Sequence, residues 1–290
     1  MVKKACAPVV WRGGTAVINS SWFMAYDDAY PIPKDYLAID LETTGFSREH
    51  DMITQMAWVN VIDGRIVDQG CDILDWTPMV DNYWLKRRLE DTTIKMAEKG
   101  DPFHMSAERM REEGRYPITV LDEWMDRMQK AVRTGHPLAA HNGTFDLSWI
   151  CQAIFKRLGI ELPLVKLNDL LWDTGTVEKA SELGWLPSAK APRTEWQHYV
   201  RNAHSRIKWS QKRCIEKYKL AERFGLNMDQ LHDAGQDARV VHLLMEEYRR
   251  LAQLERTHLE KSNGKKGITK EADRVRNAVD AQGGCQEAKA

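Results

Sequence analysis

The sequence predicts an α/β fold in which helices pack on a mixed five-stranded sheet. Three strand-like segments follow one another early in the chain, and two further strand candidates lie between segments of helical spacing. This order is typical of a mixed sheet covered by helices. The segments predict one domain over residues 35–255, with an N-terminal appendage over residues 1–34 and a polar C-terminal tail over residues 256–290.

The first strand-like segments predict an antiparallel start to the sheet. A near-continuous apolar run over residues 36–41 is typical of a strand that is buried on both faces. Residues 52–62 and 65–73 are separated by Asp63 and Gly64, which together are a strong signal for a two-residue hairpin. Three antiparallel strands are therefore expected in succession.

Helical spacing begins near residue 81. The predicted helices lie at residues 81–99, 118–132, 147–158 and 232–254. Gly159 marks the end of the third of them, because glycine favours the left-handed conformation that follows a helix. Two short strands are expected between the helices, at residues 137–140 and 165–172.

The amino-acid composition indicates a globular protein but does not identify a binding partner. With 43% hydrophobic and 29% charged residues, the chain has the composition of an ordinary globular protein. Forty-two basic residues balance forty-two acidic ones, so net charge indicates no ligand. Neither a membrane-spanning run nor the apolar core of a signal peptide is evident, which predicts a cytoplasmic protein with no membrane partner.

The five cysteines do not form a recognisable framework. They are scattered, odd in number and contain no Cys-x-x-Cys pair. Disulfide scaffolds and thiolate zinc sites need paired or closely spaced cysteines. The sequence therefore argues against both and favours a reducing compartment.

Two acids stand at the end of the first predicted strand. Asp40 and Glu42 are two residues apart, so their side chains point to the same side of a strand. Burying an ionised carboxylate without a partner is costly, and a hard divalent cation is the simplest partner for such a pair. The alternative is a strand end whose acids face water, and the strand alone leaves both interpretations open.

Three motifs together resemble one family. They are Asp40-Leu-Glu42-Thr43-Thr44-Gly45, His141-Asn142-Gly143-Thr144-Phe145-Asp146 and His232-Asp233-Ala234-Gly235-Gln236-Asp237. In order and internal spacing they resemble the DEDDh-type 3′–5′ exonucleases, which include bacterial proofreading subunits and RNase T. The resemblance covers about residues 35–250 without residues 175–213, and the pair Asp173-Thr174 also looks like a family feature. It implies an RNase H-like fold and metal-dependent removal of nucleotides from 3′ ends.

The resemblance also implies a division of roles among the acids. Asp40 would bridge two Mg²⁺ or Mn²⁺ ions, Glu42 and Asp237 would complete one coordination shell, and Asp146 would support the other. Two ions about 3.5–4 Å apart generate a hydroxide nucleophile and stabilise the leaving oxygen. His232 would be the general base, because histidine titrates near working pH.

A second histidine has the same spacing from an acid. His141 precedes Asp146 by five residues, as His232 precedes Asp237. Spacing alone does not choose between them. His232 is favoured because it matches the third motif, and His141 is then a structural or substrate-contact residue.

The remaining candidate contacts to nucleic acid follow from the same motifs. Thr43, Thr44 and Gly45 match the family turn that approaches the terminal nucleotide, and Gly45 permits close approach. The other candidates are Asn142 and two aromatic residues that could stack on the last bases, Phe46 and Phe145. Core packing is the alternative for Phe145.

A basic and aromatic insertion is predicted at about residues 175–213. Residues 178–219 contain ten Lys or Arg against four Glu. They are interleaved with Trp185, Trp196, Tyr199, Trp209 and Tyr218. Such a segment suits a surface that neutralises phosphates and stacks bases. The alternative is a solvated helical insertion whose tryptophans pack on the main body.

The leading functional hypothesis is a 3′–5′ exonuclease that acts on nucleic acid with a free 3′ end, single-stranded DNA being favoured. One alternative is a 3′–5′ exoribonuclease, because the motifs do not encode recognition of the 2′-hydroxyl. Another is a catalytically silent nucleic-acid-binding module of the same fold. The sequence identifies neither a polymerase partner nor an oligomeric state.

Overall fold

The computed structural model describes residues 21–98, 103, 105–187, 191–203 and 209–283. Its five strands are β1 (Tyr36–Thr43), β2 (Ile53–Ile62), β3 (Arg65–Ile73), β4 (Leu138–Ala140) and β5 (Leu171–Asp173). They form one sheet in the order β3-β2-β1-β4-β5. β2 runs antiparallel to β1 and β3, whereas β1, β4 and β5 are parallel. This mixed five-stranded sheet confirms the predicted α/β fold class.

Helices account for most of the other described residues. They are α1 (Trp22–Ala29), α2 (Asn82–Ala97), α3 (Ala107–Glu113), α4 (Pro117–Thr134), α5 (Thr144–Leu158), α6 (Leu164–Leu170), α7 (Thr174–Glu182), α8 (Arg193–Asn202), α9 (Gln211–Tyr218), α10 (Leu220–Phe224) and α11 (Ala234–Gly283). None of these described helices combines the length and the apolar character needed to cross a bilayer.

The sheet separates two hydrophobic cores, and β1 contributes to both. Tyr36 and Ala38 point into the core that contains α1 and α11. Leu37, Ile39 and Leu41 point into the core that contains α4 and α5. Alternate residues of a strand face opposite sides of the sheet. The uninterrupted apolar run is therefore the consequence of burial on both faces, as predicted.

The predicted hairpin between β2 and β3 is confirmed. Asp63 and Gly64 both have positive φ, at 51° and 72°. Two successive positive φ values are the requirement of a type I′ turn, whose twist matches that of the flanking strands. Asp63 tolerates this conformation, because aspartate is among the residues enriched in the left-handed region.

The strand predicted over residues 165–172 is wrong over most of its length. Leu164–Leu170 is helical, and β5 contains only Leu171–Asp173. In α6 the side chain of Leu167 is buried while Val165 is exposed. A short apolar run is ambiguous between helix and strand by periodicity alone, and here the helix spacing applies.

Part of the predicted N-terminal appendage packs on the domain. Trp22 and Tyr26 of α1 are buried in the core that contains α11. The backbone nitrogen of Met24 donates to Glu255 Oε2 at 2.7 Å, and Arg256 forms an ion pair with Asp27 at 2.8 Å. Residues 1–20 of the appendage lie outside the described residues.

The predicted C-terminal tail has helical backbone over most of its length. α11 continues to Gly283, whereas the sequence predicts a helix ending at about residue 254. Residues 284–290 lie outside the described part of the chain. The domain boundaries themselves stay predictions.

The aromatic residues of the predicted insertion are divided between core and surface. Trp196 and Trp209 are buried in the core, whereas Tyr199 is 63% exposed. The guanidinium of Arg193 lies 4.2 Å from the ring centroid of Trp172. At Trp196, Trp209 and Arg193 the contacts favour the packing alternative over a surface that binds bases. Residues 188–190 and 204–208 lie outside the described residues.

We expect Trp196→Ala to lower the free energy of unfolding by about 3–5 kcal/mol, because a large buried ring is deleted. Tyr199→Ala on the same helix is the matched control, and we expect it to change stability by less than about 1 kcal/mol because its ring is mostly in solvent. Urea unfolding measures both. Equal effects of the two variants would contradict the placement of Trp196 in the core.

Candidate active site

Two of the candidate carboxylates lie at the end of the central strand. Asp40 pairs with Ala57 of β2, and Glu42 pairs with Gln55. The ladder fixes both backbones, and the two-residue separation directs both side chains to the same side. Asp40 is buried and Glu42 is partly buried.

The other two carboxylates begin helices at the same edge of the sheet. Asp146 is in the first turn of α5 and Asp237 is in the first turn of α11, and both are buried. β4 leads into α5 and runs parallel to β1, so the two strands end at one edge. The structure therefore brings the four predicted metal carboxylates together.

Burial and mutual repulsion raise the pKa of these acids. Burial is the largest cause of the pKa of Asp40 lying well above its usual range, followed by the charges of Asp237, Asp146 and Glu42. Burial also raises the pKa of Asp146 well above its usual range and that of Asp237 to about 8. The negative charge of the four acids is thus poorly compensated by the described protein groups alone.

The donor set fits a hard divalent cation. Glu42, His232 and Asp237 each offer a ligand atom, and these atoms all lie within 4.8 Å of one another. Asp237 Oδ1 is buried and has no hydrogen-bond partner among the described residues. Carboxylate oxygens suit Mg²⁺ and Mn²⁺, and a cation would relieve the repulsion among the acids.

His232 lies at the mouth of the acid cluster. Its Nδ1 is 3.7 Å from Glu42 Oε1, and about a third of its side chain is exposed. Its backbone nitrogen donates to Asp237 Oδ2 at 3.2 Å. Its φ of 67° is uncommon for a residue other than glycine, and such conformations are concentrated at functional sites.

His141 is held inside the protein by both ring nitrogens. Nε2 lies 2.8 Å from the carbonyl oxygen of Trp209, and Nδ1 lies 3.0 Å from Thr174 Oγ1. A carbonyl oxygen only accepts, so Nε2 carries the proton. Burial lowers the pKa of His141. These contacts favour a structural role for His141, and they distinguish it from His232 where spacing did not.

The turn after β1 is organised by a carboxylate that the sequence did not indicate. Thr43 Oγ1 donates to the Gly45 carbonyl at 2.7 Å, and Thr44 Oγ1 donates to Asp51 Oδ1 at 3.0 Å. A Cβ on Gly45 would lie 2.5 Å from Asp51 Oδ2. Arg88 of α2 donates to Asp51 through Nε at 2.6 Å. The glycine is thus required by the packing of Asp51 beneath the turn.

The two predicted stacking residues are neighbours. Phe46 is 82% exposed, and its ring centroid lies 6.1 Å from that of the half-buried Phe145. Phe145 also contacts the buried Trp149 at 6.0 Å, so it belongs partly to the core. Asn142 is exposed and has a φ of 62°. These positions place an aromatic surface beside the second motif.

Asp173 joins the second motif to the end of β5. Its side chain accepts from the backbone nitrogen of Asn142 at 3.0 Å and caps α7 by accepting from Thr176. An aspartate that follows a strand and precedes a helix is a recognisable cap signal. The sequence shows this pair, but it does not show that the carboxylate also holds residue 142.

Two glutamines complete the site and had no sequence signal. Gln55 of β2 donates to Asp233 Oδ2 at 3.2 Å and accepts from the Ala234 backbone nitrogen at 3.2 Å, so it holds the third motif against the sheet. Gln211 of α9 donates to Asp40 Oδ1 at 3.4 Å. The C-terminal end of the predicted insertion, where α9 begins, therefore reaches the acid cluster.

Known proteins share sequence with this chain. The PolC-type DNA polymerase III of Bacillus cereus is 27% identical over 174 residues, which are 59% of this chain and 10% of that protein. The Staphylococcus aureus protein of the same name is 29% identical over 158 residues, 51% of this chain and 10% of the other. The match thus spans about a tenth of these relatives' length. No family model matches the sequence.

Solved structures that align with part of this chain include E. coli exonuclease I. In its zinc-bound complex with single-stranded DNA it aligns with a TM-score of 0.47 and 13% identity, over 77% of this chain and 42% of that one. Its complex with a dT13 oligonucleotide aligns with a TM-score of 0.48 and 12% identity, over 79% and 43% of the two chains.

The structure thus combines a mixed five-stranded sheet with an acidic site of four carboxylates at one edge. The chain also has the three motifs and the sequence similarity to PolC-type polymerases. This sequence similarity supports the resemblance to the DEDDh-type 3′–5′ exonucleases that the three motifs indicate.

In EDTA, we expect the melting temperature to fall by several degrees between pH 5 and pH 8. The folded-state pKa of Asp237 is raised to about 8, above an unfolded value of about 4. Its contribution to stability is therefore fully present below pH 4 and is lost as pH rises through 8. Added Mg²⁺ should raise the melting temperature more at pH 8 than at pH 5. Asp237→Asn is the control, because it should reduce both dependences.

Proposed function

We propose that this chain is a metal-dependent 3′–5′ exonuclease that hydrolyses phosphodiester bonds from the 3′ end of DNA. The observation that carries the proposal is the convergence of the four carboxylates and His232 at one edge of the sheet. These residues come from three separate motifs, and their closeness supports a single reaction centre.

The proposed roles follow from the positions of the side chains. Asp40 is the most central acid, because the charges of Asp237, Asp146 and Glu42 all raise its pKa. It would therefore bridge two ions. Glu42 and Asp237 would hold one ion and Asp146 the other. When bound, two such ions activate water and stabilise the departing 3′ oxygen. Mg²⁺ and Mn²⁺ both suit the ligands.

His232 would take a proton from the attacking water. Its partial exposure leaves the ring at the boundary between the acid cluster and solvent. Glu42, 3.7 Å from Nδ1, would stabilise the imidazolium that forms. The carboxylate of Glu42 therefore lowers the free-energy cost of protonating His232 while the phosphodiester bond breaks.

The relatives and the surface beside the site both support single-stranded DNA as the substrate class. The PolC-type relatives are named as DNA polymerases, which favours DNA over RNA for this chain. The exposed ring of Phe46 and its neighbour Phe145 offer a place for a terminal base. A single-stranded 3′ end suits these contacts, because its bases are free to stack. The cytoplasmic location stays a prediction.

We expect Asp40→Asn to lower the rate of nucleotide release by at least about a hundredfold, because it removes a charge from the proposed bridge. His232→Ala should lower the rate by about 10²- to 10⁴-fold. Release of nucleotides from 3′-labelled single-stranded DNA, duplex DNA and RNA, each with Mg²⁺, Mn²⁺ or EDTA, measures these effects.

Two matched controls accompany these variants. Asp63→Asn changes an exposed acid in the hairpin at the opposite end of the sheet, and His258→Ala changes an exposed histidine of α11. Both should retain activity. Nucleotide release that persists in EDTA, or that is insensitive to Asp40→Asn, would disprove the mechanism. Tight binding without release from any substrate would instead support the silent binding module.

A further inference from the structure

A cationic cleft lies between the loop that follows β1 and one side of α5. It has a volume of about 110 Å³. Its lining includes three cationic side chains and two tryptophans: Arg48, Lys156, Arg157, Trp76 and Trp149. None of the three motifs includes these residues.

The three cations of the cleft have no carboxylate partner among the residues that the structure describes. Arg48, Lys156 and Arg157 form no ion pair with any carboxylate in the part of the chain that the structure describes. Of the two acids in the lining, Asp51 is paired with Arg88, and Glu49 is largely exposed and lies 3.9 Å from His50. The cleft therefore carries a net positive charge, which a phosphate would compensate.

Contacts within the protein hold the three cations near one another. Lys156 Nζ donates to the backbone carbonyl of Arg48 at 2.5 Å, and Arg48 Nη2 donates to Ser148 Oγ at 2.7 Å. The guanidinium of Arg157 lies 4.9 Å from the ring centroid of Trp76. Side chains that are already ordered lose less entropy when a ligand binds, so these contacts favour binding.

α5 links the cleft to the candidate active site. Asp146 is in its first turn, whereas the lining residues Trp149 and Lys156 follow three and ten residues later. At a rise of 1.5 Å per residue they lie about 5–15 Å farther along the helix axis. The ring centroid of Phe145, the residue before Asp146, lies 6.0 Å from that of Trp149 in the cleft lining. A strand whose 3′ end meets the acids would reach the cleft within a few nucleotides.

We propose that this cleft binds a backbone phosphate of the substrate strand, a few nucleotides to the 5′ side of the scissile bond. The proposal rests on the proposed exonuclease function. Trp76 and Trp149 are each 3% exposed, so they form the floor of the cleft and are not stacking platforms. The cleft volume of about 110 Å³ is large enough for a phosphate group, since a cavity of about 150 Å³ accommodates benzene. The contact is therefore electrostatic and independent of sequence.

The test compares the double variant Lys156→Glu/Arg157→Glu with the wild type on single-stranded DNA of two and of ten nucleotides. In EDTA, binding is measured by fluorescence anisotropy at several salt concentrations. We expect affinity for the ten-nucleotide strand to fall at least about tenfold. The slope of log affinity against log salt should fall by about 0.7 for each phosphate that the variant no longer neutralises. With Mg²⁺, the ratio of kcat/KM for the longer over the shorter substrate should fall by a similar factor.

Arg65→Glu is the matched control, because it reverses an exposed charge where β3 begins, at the other end of the sheet from Glu42. It should leave affinity, salt slope and substrate ratio unchanged. Lys156→Ala is a milder change at an exposed site and replaces the double variant if that variant folds poorly. It should also weaken binding. Unchanged affinity and salt slope in a folded double variant would overturn the proposal. If the wild type releases no nucleotides, the proposed function fails, while binding in EDTA still tests the cleft.

Discussion

The structure depends on keeping four mutually repelling carboxylates within one buried cluster. Asp40 is central, and burial together with the neighbouring acids raises its pKa. Such crowding is tolerated only when the backbone positions are fixed by interactions elsewhere. β1 meets this need because alternate side chains lock it into both hydrophobic cores. The acids are therefore held by hydrophobic packing at a place where electrostatics alone would separate them.

Three side chains outside the motifs, Asp51, Asp173 and Gln55, fix the positions of the three motifs. Asp51, compensated by Arg88, holds the turn after β1, and Asp173 holds the loop before α5. Gln55 anchors the residues before α11 to β2. Each motif is thus held by a side chain that lies outside the motif. Precise placement of reacting groups requires such support, because small displacements lower catalytic rates strongly.

The fold was predictable where a local pattern had one physical cause. The apolar run of β1 and the Asp63-Gly64 hairpin each encode their own geometry. Residues 164–170 were not predictable, because a short apolar run fits both helix and strand. The four acids were identified from three motifs. Spacing could not distinguish His232 from His141, because the Trp209 carbonyl that binds His141 comes from 68 residues away in sequence. Asp51, Gln55 and Gln211 likewise act through contacts between distant segments.

The docking of α1 on α11 has a consequence for synthesis of the chain. Met24 bonds to Glu255, 231 residues later, so the contact closes almost the whole described chain into a loop. Contacts of such large sequence separation form late, because loop-closure entropy opposes them. On the ribosome, the aromatic face of α1 must wait for α11 to emerge. The burial of Trp22 and Tyr26 stays incomplete until then, and an exposed apolar helix of this kind is a target for chaperones and for aggregation.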